Sequence, residues 1–327
     1  MKHFAGKIAV ITGGGTGMGR ELARLLVAEG CNVAMCDILA ANMAETRRLC
    51  EADRPPHGAR VTTHMADVSV ESQILRFRDD VARQMETDKI HLLFNNAGIG
   101  GGGSLFTDSR ESWERTFNIC WYGVYYSVRA FLPMLQKADE AHIVNTSSIN
   151  GFWATLGSTT PHTSYSAAKF AVKGFTEALL TDLAVNAPHI KCSVVMPGHV
   201  GTEIVANSRK IQEGVTTDVL TPDEIKRFRE RFSILGSDDA ELSDEALQAM
   251  SDEAARLVIE TALTSAAQGA RLMLDGVRND RWRILVGEDA ELVDEHVRAA
   301  PESAYTEDFF NHCGPAYLRK RHHKGVL

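Results

Sequence analysis

Short runs rich in β-branched residues alternate along this chain with longer stretches whose apolar positions recur at helical spacing. Residues 8–11 read as a buried strand, and residues 20–29 as a helix carrying Leu22, Leu25 and Leu26 on one face. Further strands are expected at Asn32–Asp37, Val61–Met65, residues 90–94, Ala141–Thr146, residues 191–196 and residues 281–286. Helices are expected at 40–50, 72–85, 110–135, 164–187 and 254–267, with a loop at 54–58. The helix over 110–135 is expected to be interrupted at Gly123 and to close near Pro133.

Alternation of this kind implies parallel strands with helices on both faces, and right-handed crossovers make a doubly wound sheet of the Rossmann type the simplest solution. The expectation is therefore an α/β fold of about seven strands, with residues 1–287 as one catalytic domain. Residues 203–252 break the pattern. They are charged and poor in strand formers, with Phe228, Phe232, Ile234 and Leu235 among the charges, and are expected to be a helical insertion that closes over a site as a lid. Residues 288–327 form a C-terminal extension that the pattern does not place.

Composition narrows the class. Hydrophobic residues make up 44% of the chain and charged residues 24%, which suits a soluble folded enzyme. A net charge of -8 sets the body against nucleic acid as a partner. The basic run Arg319, Lys320, Arg321 and Lys324 reads as a solvated tail. Six cysteines lack CxxC spacing, and several sit in apolar runs, as expected of reduced, buried thiols in a cytoplasmic protein. No signal-peptide core or membrane-length apolar run is present, so no membrane partner is expected. His142, His162, His189 and His199 show no HExxH or paired ligand spacing, and no metal site is expected.

The first strand runs into Thr12-Gly13-Gly14-Gly15-Thr16-Gly17-Met18-Gly19 and then a helix. Glycines there let the backbone turn and approach a pyrophosphate, while the helix N-terminus offers free N–H groups and partial positive charge. Asp37 ends the second strand, 24 residues after Gly13. A carboxylate in that place accepts hydrogen bonds from ribose hydroxyls and repels a 2′-phosphate, so NAD is favoured over NADP.

These residues resemble the classical short-chain dehydrogenase/reductase family. Thr12, Gly13, Gly17 and Gly19 are similar to its TGxxxGxG loop, with Thr16 and Met18 inside it. Asp67 and Val68 follow the third strand, and Asn95, Asn96, Ala97 and Gly98 follow the fourth as its NNAG block does. Asn118, Ser148, Tyr165 and Lys169 match its catalytic positions. Pro197, Gly198, Val200 and Thr202 match its nicotinamide-side stretch. Ser148 is chosen over Ser147 because Gly151 follows it by three residues. The gap from Ser148 to Tyr165 is longer than usual in the family.

The resemblance implies hydride exchange between NAD and a secondary alcohol or ketone, with Tyr165 as acid/base. A phenol ordinarily titrates near 10, too high for a good base at neutral pH. Lys169 is one helical turn on, and an ammonium about 4 Å away would lower that value by as much as about three units. The resemblance also implies that Ser148 holds the substrate oxygen and Asn118 a relay water, and that Lys169 and Thr202 hold the nicotinamide ribose and carboxamide. It further implies a homodimer or homotetramer assembled through the two long helices. Phe152, Trp153, Met196, Val200 and Ile204 are expected to form an apolar pocket, with His162 and His199 as candidate pocket residues. The rival readings are a non-catalytic NAD-binding sensor and an epimerase or dehydratase that uses NAD catalytically.

Overall fold

The computed structural model describes residues 1–53, 58–156, 161–234 and 236–313. Leu235, the loop residues 54–57, part of the 151–163 loop and the basic tail from Arg319 onward lie outside the described residues. Seven strands form one parallel sheet: β1 (Ile8–Thr12), β2 (Asn32–Asp37), β3 (Val61–Met65), β4 (Leu92–Asn95), β5 (Ala141–Thr146), β6 (Ile190–Pro197) and, as the last edge, Arg283–Val286. Their spatial order is β3-β2-β1-β4-β5-β6 followed by that edge strand. The central strands are buried along nearly their whole length, as parallel strands covered on both faces must be. Chain order reverses between β1 and β4, and a crevice opens beyond their carboxyl ends.

One apolar cluster packs α3 (Glu71–Gln84), α5 (Gly123–Gln136) and α6 (Thr163–Asn186) on one side of the sheet, centred on Phe77, Phe131 and Val172. A second packs α1 (Gly17–Ala28) and α10 (Ala266–Arg278) on the other, through Leu22, Leu26 and Met273. Between α1 and α3, α2 (Ala40–Ala52) follows β2.

Several boundaries differ from the sequence expectation. The long helix over 110–135 is two helices, α4 (Arg110–Phe117) and α5, joined by a π-helical turn at Asn118–Tyr122. Such turns carry no glycine or proline signature, and they widen a helix where a side chain must be re-aimed. Pro133 does not close the helix, which runs on to Gln136. One backbone bond is lost there, and the buried Phe131, Met134 and Leu135 hold the turn.

Residues 203–252 are helical in pieces, as α7 (Ile204–Glu213), α8 (Pro222–Ile234) and the start of α9 (Asp244–Glu260). No helix spans 254–267. The chain breaks after α9, forms the short strand Thr264–Ser265 beside Val200–Gly201, and restarts α10 with Ser265 and Gln268 in a capping box. The first part of the extension folds as α11 (Glu288–Ala299) and α12 (Glu307–Cys313). Among the described residues no helix is long and apolar enough to cross a membrane. All six cysteines are buried thiols, and burial pushes Cys192 up to about 11.

Candidate active site

The crevice beyond β1 and β4 is lined by Gly13, Thr16, Gly17 and Met18 from the first turn and by Asp37, Ile38 and Leu39 from the second. Asp67, Val68, Asn96, Ala97, Gly98 and Thr202 complete the strand-end wall, and α7 closes the outside with Ile204, Asn207 and Ile211. Gly13 has a left-handed backbone (φ 67°), and a Cβ there would sit 2.8 Å from the Ala97 Cα. A Cβ at Gly19 would meet the Gly13 carbonyl oxygen at 2.0 Å, so only glycine lets α1 begin this close to the loop.

Asn96, given no role of its own in the sequence reading of the NNAG block, braces this turn. Its backbone N–H and that of Ala97 donate to Thr12 Oγ1 at 3.1 and 3.2 Å, and its amide donates to the Gly13 carbonyl at 3.2 Å. Asn95 does not line the crevice. It is buried, and its amide donates to Asn145 Oδ1 (2.7 Å), whose own amide reaches Thr176 on α6 (2.9 Å). That chain ties β4 and β5 to the helix carrying Tyr165 and Lys169.

Asp37 accepts three backbone N–H bonds, from Gly15 (3.0 Å), Ile38 (2.8 Å) and Leu39 (3.1 Å), while it lines the crevice. Burial raises its pKa, opposed by those donors and by the Arg20 charge. Arg20 itself grips the Gly15 carbonyl at 2.7 Å. Asp67 holds its own turn by accepting from the Ser69 N–H and hydroxyl at 2.9 and 2.7 Å.

Ser148, Tyr165 and Lys169 are not among the residues lining this crevice but come together beside Gly98, which is. The Ser148 hydroxyl is near enough to the Tyr165 phenol to favour its ionised form, and the Lys169 amine lies 5.3 Å from the phenol ring centre. The same amine donates to the Thr146 carbonyl at 2.9 Å, and a Cβ on Gly98 would stand 3.4 Å from it. Ser147 faces elsewhere and donates to the Lys169 carbonyl at 2.7 Å. Asn118, in the π-helical turn, lines a neighbouring crevice with Asp67, Ser69 and Ile211.

One electrostatic expectation is corrected. Lys169 does pull the phenol toward ionisation, but burial outweighs it, and Tyr165 stands above the ordinary value of 10. The His162 ring lies tilted against the Tyr165 ring, 4.7 Å between their centres, and burial lowers that histidine to about 4, so it is neutral there.

The expected apolar pocket is also corrected. Of its five named residues only Ile204 lines the crevice. Trp153 is fully buried beneath the extension, packed with Ala290, Val293 and Phe310, and its indole N–H donates to the Ala304 carbonyl at 2.6 Å. Phe152 joins that cluster, while Met196 and Val200 are buried in the body of the protein. A long aromatic-bearing loop resembles a pocket wall in sequence because nothing there reveals that a later helix will cover it.

The His199 ring turns to the Val258 carbonyl at 2.6 Å. His296, His312 and Cys313, from α11 and α12, bring three ligand-type atoms within 4.8 Å of one another, a grouping that linear spacing could not reveal.

The helix α7 is latched across the crevice. Asn207 donates to Thr16 Oγ1 at 3.1 Å, Ser208 accepts from the Gly100 N–H at 2.8 Å, and Gln212 donates to Thr116 Oγ1 at 2.7 Å. Arg115 donates to the Ile211 and Gln212 carbonyls at the end of the same helix.

The short chain dehydrogenase family model matches residues 7–213. A putative oxidoreductase, SadH, of Mycobacterium tuberculosis is 32% identical over 294 residues, 90% of this chain and 91% of its own. A 3-alpha-(or 20-beta)-hydroxysteroid dehydrogenase of Mycobacterium bovis is 31% identical, over 61% of this chain and 71% of its own. Among solved structures, a short-chain dehydrogenase/reductase from Burkholderia phymatum in complex with NAD superposes with a TM-score of 0.70 at 28% identity, covering 91% of this chain and 96% of that one. With the Gly13–Gly19 turn, the Asn96–Gly98 wall and the Ser148–Tyr165–Lys169 grouping on one Rossmann-like sheet, the chain belongs to the classical short-chain dehydrogenase/reductase family of oxidoreductases.

Proposed function

We propose that this protein interconverts a secondary alcohol and a ketone with NAD, on a moderately sized and largely apolar substrate. The grouping of Tyr165 with Ser148 and Lys169 beside Gly98 carries the reading. Bound NAD supplies a hydride acceptor or, reduced, a hydride donor. Gly13, Thr16, Gly17 and Met18 would hold its pyrophosphate on the N-terminus of α1, Asp37 its adenosine ribose, and Asp67 and Val68 its adenine. Ala97, Gly98, Pro197, Gly198, Val200 and Thr202 would surround the nicotinamide half.

Tyr165 trades the proton with the substrate oxygen, and the Ser148 hydroxyl holds that oxygen in place. Lys169 stabilises the phenolate and, through its bond to the Thr146 carbonyl, fixes its own amine beside Gly98. Asn118 continues the proton path toward solvent through its π-helical turn. A bare nucleotide sensor would need none of these three hydroxyl and amine groups, which favours turnover over sensing.

Asp37 supports NAD over NADP, because a phosphate placed beside a desolvated carboxylate is repelled. Partly exposed aromatic side chains on the two long helical segments, Tyr122 in the π-helical turn before α5 and Phe170 on α6, support assembly as a homodimer or homotetramer. A panel of apolar secondary alcohols with NAD+ and NADP+, followed at the nicotinamide absorbance, tests the reading. NADH should be released stoichiometrically, and turnover with NADP+ in preference to NAD+ would refute the role of Asp37.

A further inference from the structure

The stretch that leaves β6 at Pro197 reaches the crevice at Thr202 with little sheet support of its own. It is fastened from behind. The Gly198 N–H donates to the Val286 carbonyl at 2.9 Å, and the His199 N–H donates to Asp289 Oδ2 at 2.6 Å. Asp289 belongs to α11, beyond the 7–213 match, and is only 8% exposed.

Its second oxygen, Oδ1, is buried with no hydrogen-bond partner. Two glycines make room for it: a Cβ on Gly198 would lie 2.3 Å from Oδ1, and one on Gly287 2.5 Å. A carboxylate withdrawn from water and only partly satisfied is costly. A mere helix-end acid would turn out to solvent, where the helix dipole still favours it. This one turns inward instead, onto the backbone of residue 199, whose ring is held by the Val258 carbonyl of α9.

We infer that Asp289 is a positioning residue that sets the nicotinamide-side loop, residues 197–202, through the His199 N–H. The inference rests on the dinucleotide reading of the crevice. Thr202 stands against Gly17, with 3.1 Å between its methyl group and a Cβ built there, so a shift of the loop alters the distance from the phosphate turn to the nicotinamide wall. Apart from that contact between Thr202 and Gly17, the residues assigned to the adenosine and the pyrophosphate lie on other turns.

The test compares dissociation constants for NAD+ and for ADP-ribose, which lacks the nicotinamide ring, together with kcat. Asp289→Ala should weaken NAD+ binding or lower kcat by about tenfold or more and leave ADP-ribose within about twofold. Asp289→Asn keeps an oxygen for the His199 N–H and should restore NAD+ binding to within about threefold. Gly198→Ala drives a methyl group into the carboxylate and should give the same selective loss, which keeps the test available if Asp289→Ala fails to fold.

Equal weakening of both ligands, as a purely structural role gives, would overturn the inference. So would an Asp289→Ala protein with unchanged NAD+ binding and kcat. A wild-type chain that binds neither ligand overturns the dinucleotide reading itself, and the inference with it.

Discussion

Replacing Lys169 with methionine keeps the length of the side chain but removes its charge, and the consequence follows from where the amine sits. At 5.3 Å from the phenol ring centre, a unit positive charge favours the Tyr165 phenolate by about 3 kcal/mol at an effective dielectric near 20. That corresponds to about two pKa units. Burial already holds the phenol above 10, and Lys169 is the first force opposing it, so its loss moves the phenol further up.

Alcohol oxidation needs the phenolate. At saturating NAD+, the pH–rate profile of Lys169→Met should therefore keep its unit slope and shift to higher pH by one to two units. At a fixed pH below the inflection the rate falls by about ten- to hundredfold, and each added pH unit recovers about tenfold. Ketone reduction, which needs the protonated phenol, should be less affected. A profile lowered uniformly with no displacement would refute the electrostatic role and leave Lys169 as a binding group alone.

Three other outcomes follow from the geometry. Asp37→Ser removes the half-buried carboxylate that three backbone N–H groups and the crevice share, and should narrow the kcat/KM preference for NAD+ over NADP+ by about ten- to hundredfold. An unchanged preference would contradict that role. Gln212→Ala frees α7 from Thr116 and Gly100, so the substrate KM should rise several-fold and protease cleavage within 204–213 should quicken, with little change in Tm. His142, buried and held to about 4 against the Ser193 hydroxyl, has a folded-state pKa below its unfolded value of about 6.5. Its contribution is complete above pH 6.5 and is lost as pH falls toward 4, so His142→Leu should flatten the decline of unfolding free energy across that window by as much as about 3 kcal/mol, read by denaturant titration.

The sheet and its glycine turn were legible because both are local. A buried parallel strand is a short run rich in β-branched residues, as residues 8–12 show, and the turn at Gly13 needs glycine for reasons confined to its neighbours. The pairing of Tyr165 with Lys169 was legible because four residues is one helical turn. The choice of Ser148 over Ser147 rested on spacing to Gly151, and the Ser147 hydroxyl is taken up by the Lys169 carbonyl.

What was not legible depends on contacts distant in sequence. Trp153 read as a pocket wall because its cover, Ala304 and Phe310, comes some 150 residues later. The π-helical turn at Asn118 has no compositional mark. The acidity of Tyr165 was overestimated because spacing reveals the nearby amine but not the burial that opposes it. Gln268, three residues past Ser265, did carry a local signal for the start of α10, a capping box within reach of sequence reasoning.

The claim on which the rest depends is that the phenol of Tyr165 trades the substrate's proton. Tyr165→Phe removes one oxygen and leaves the nucleotide crevice intact. Single-turnover formation of NADH from an accepted secondary alcohol, measured beside NAD+ affinity, should fall by at least about a thousandfold while NAD+ affinity stays within about threefold. Hydride transfer at the wild-type rate in that variant would contradict the account.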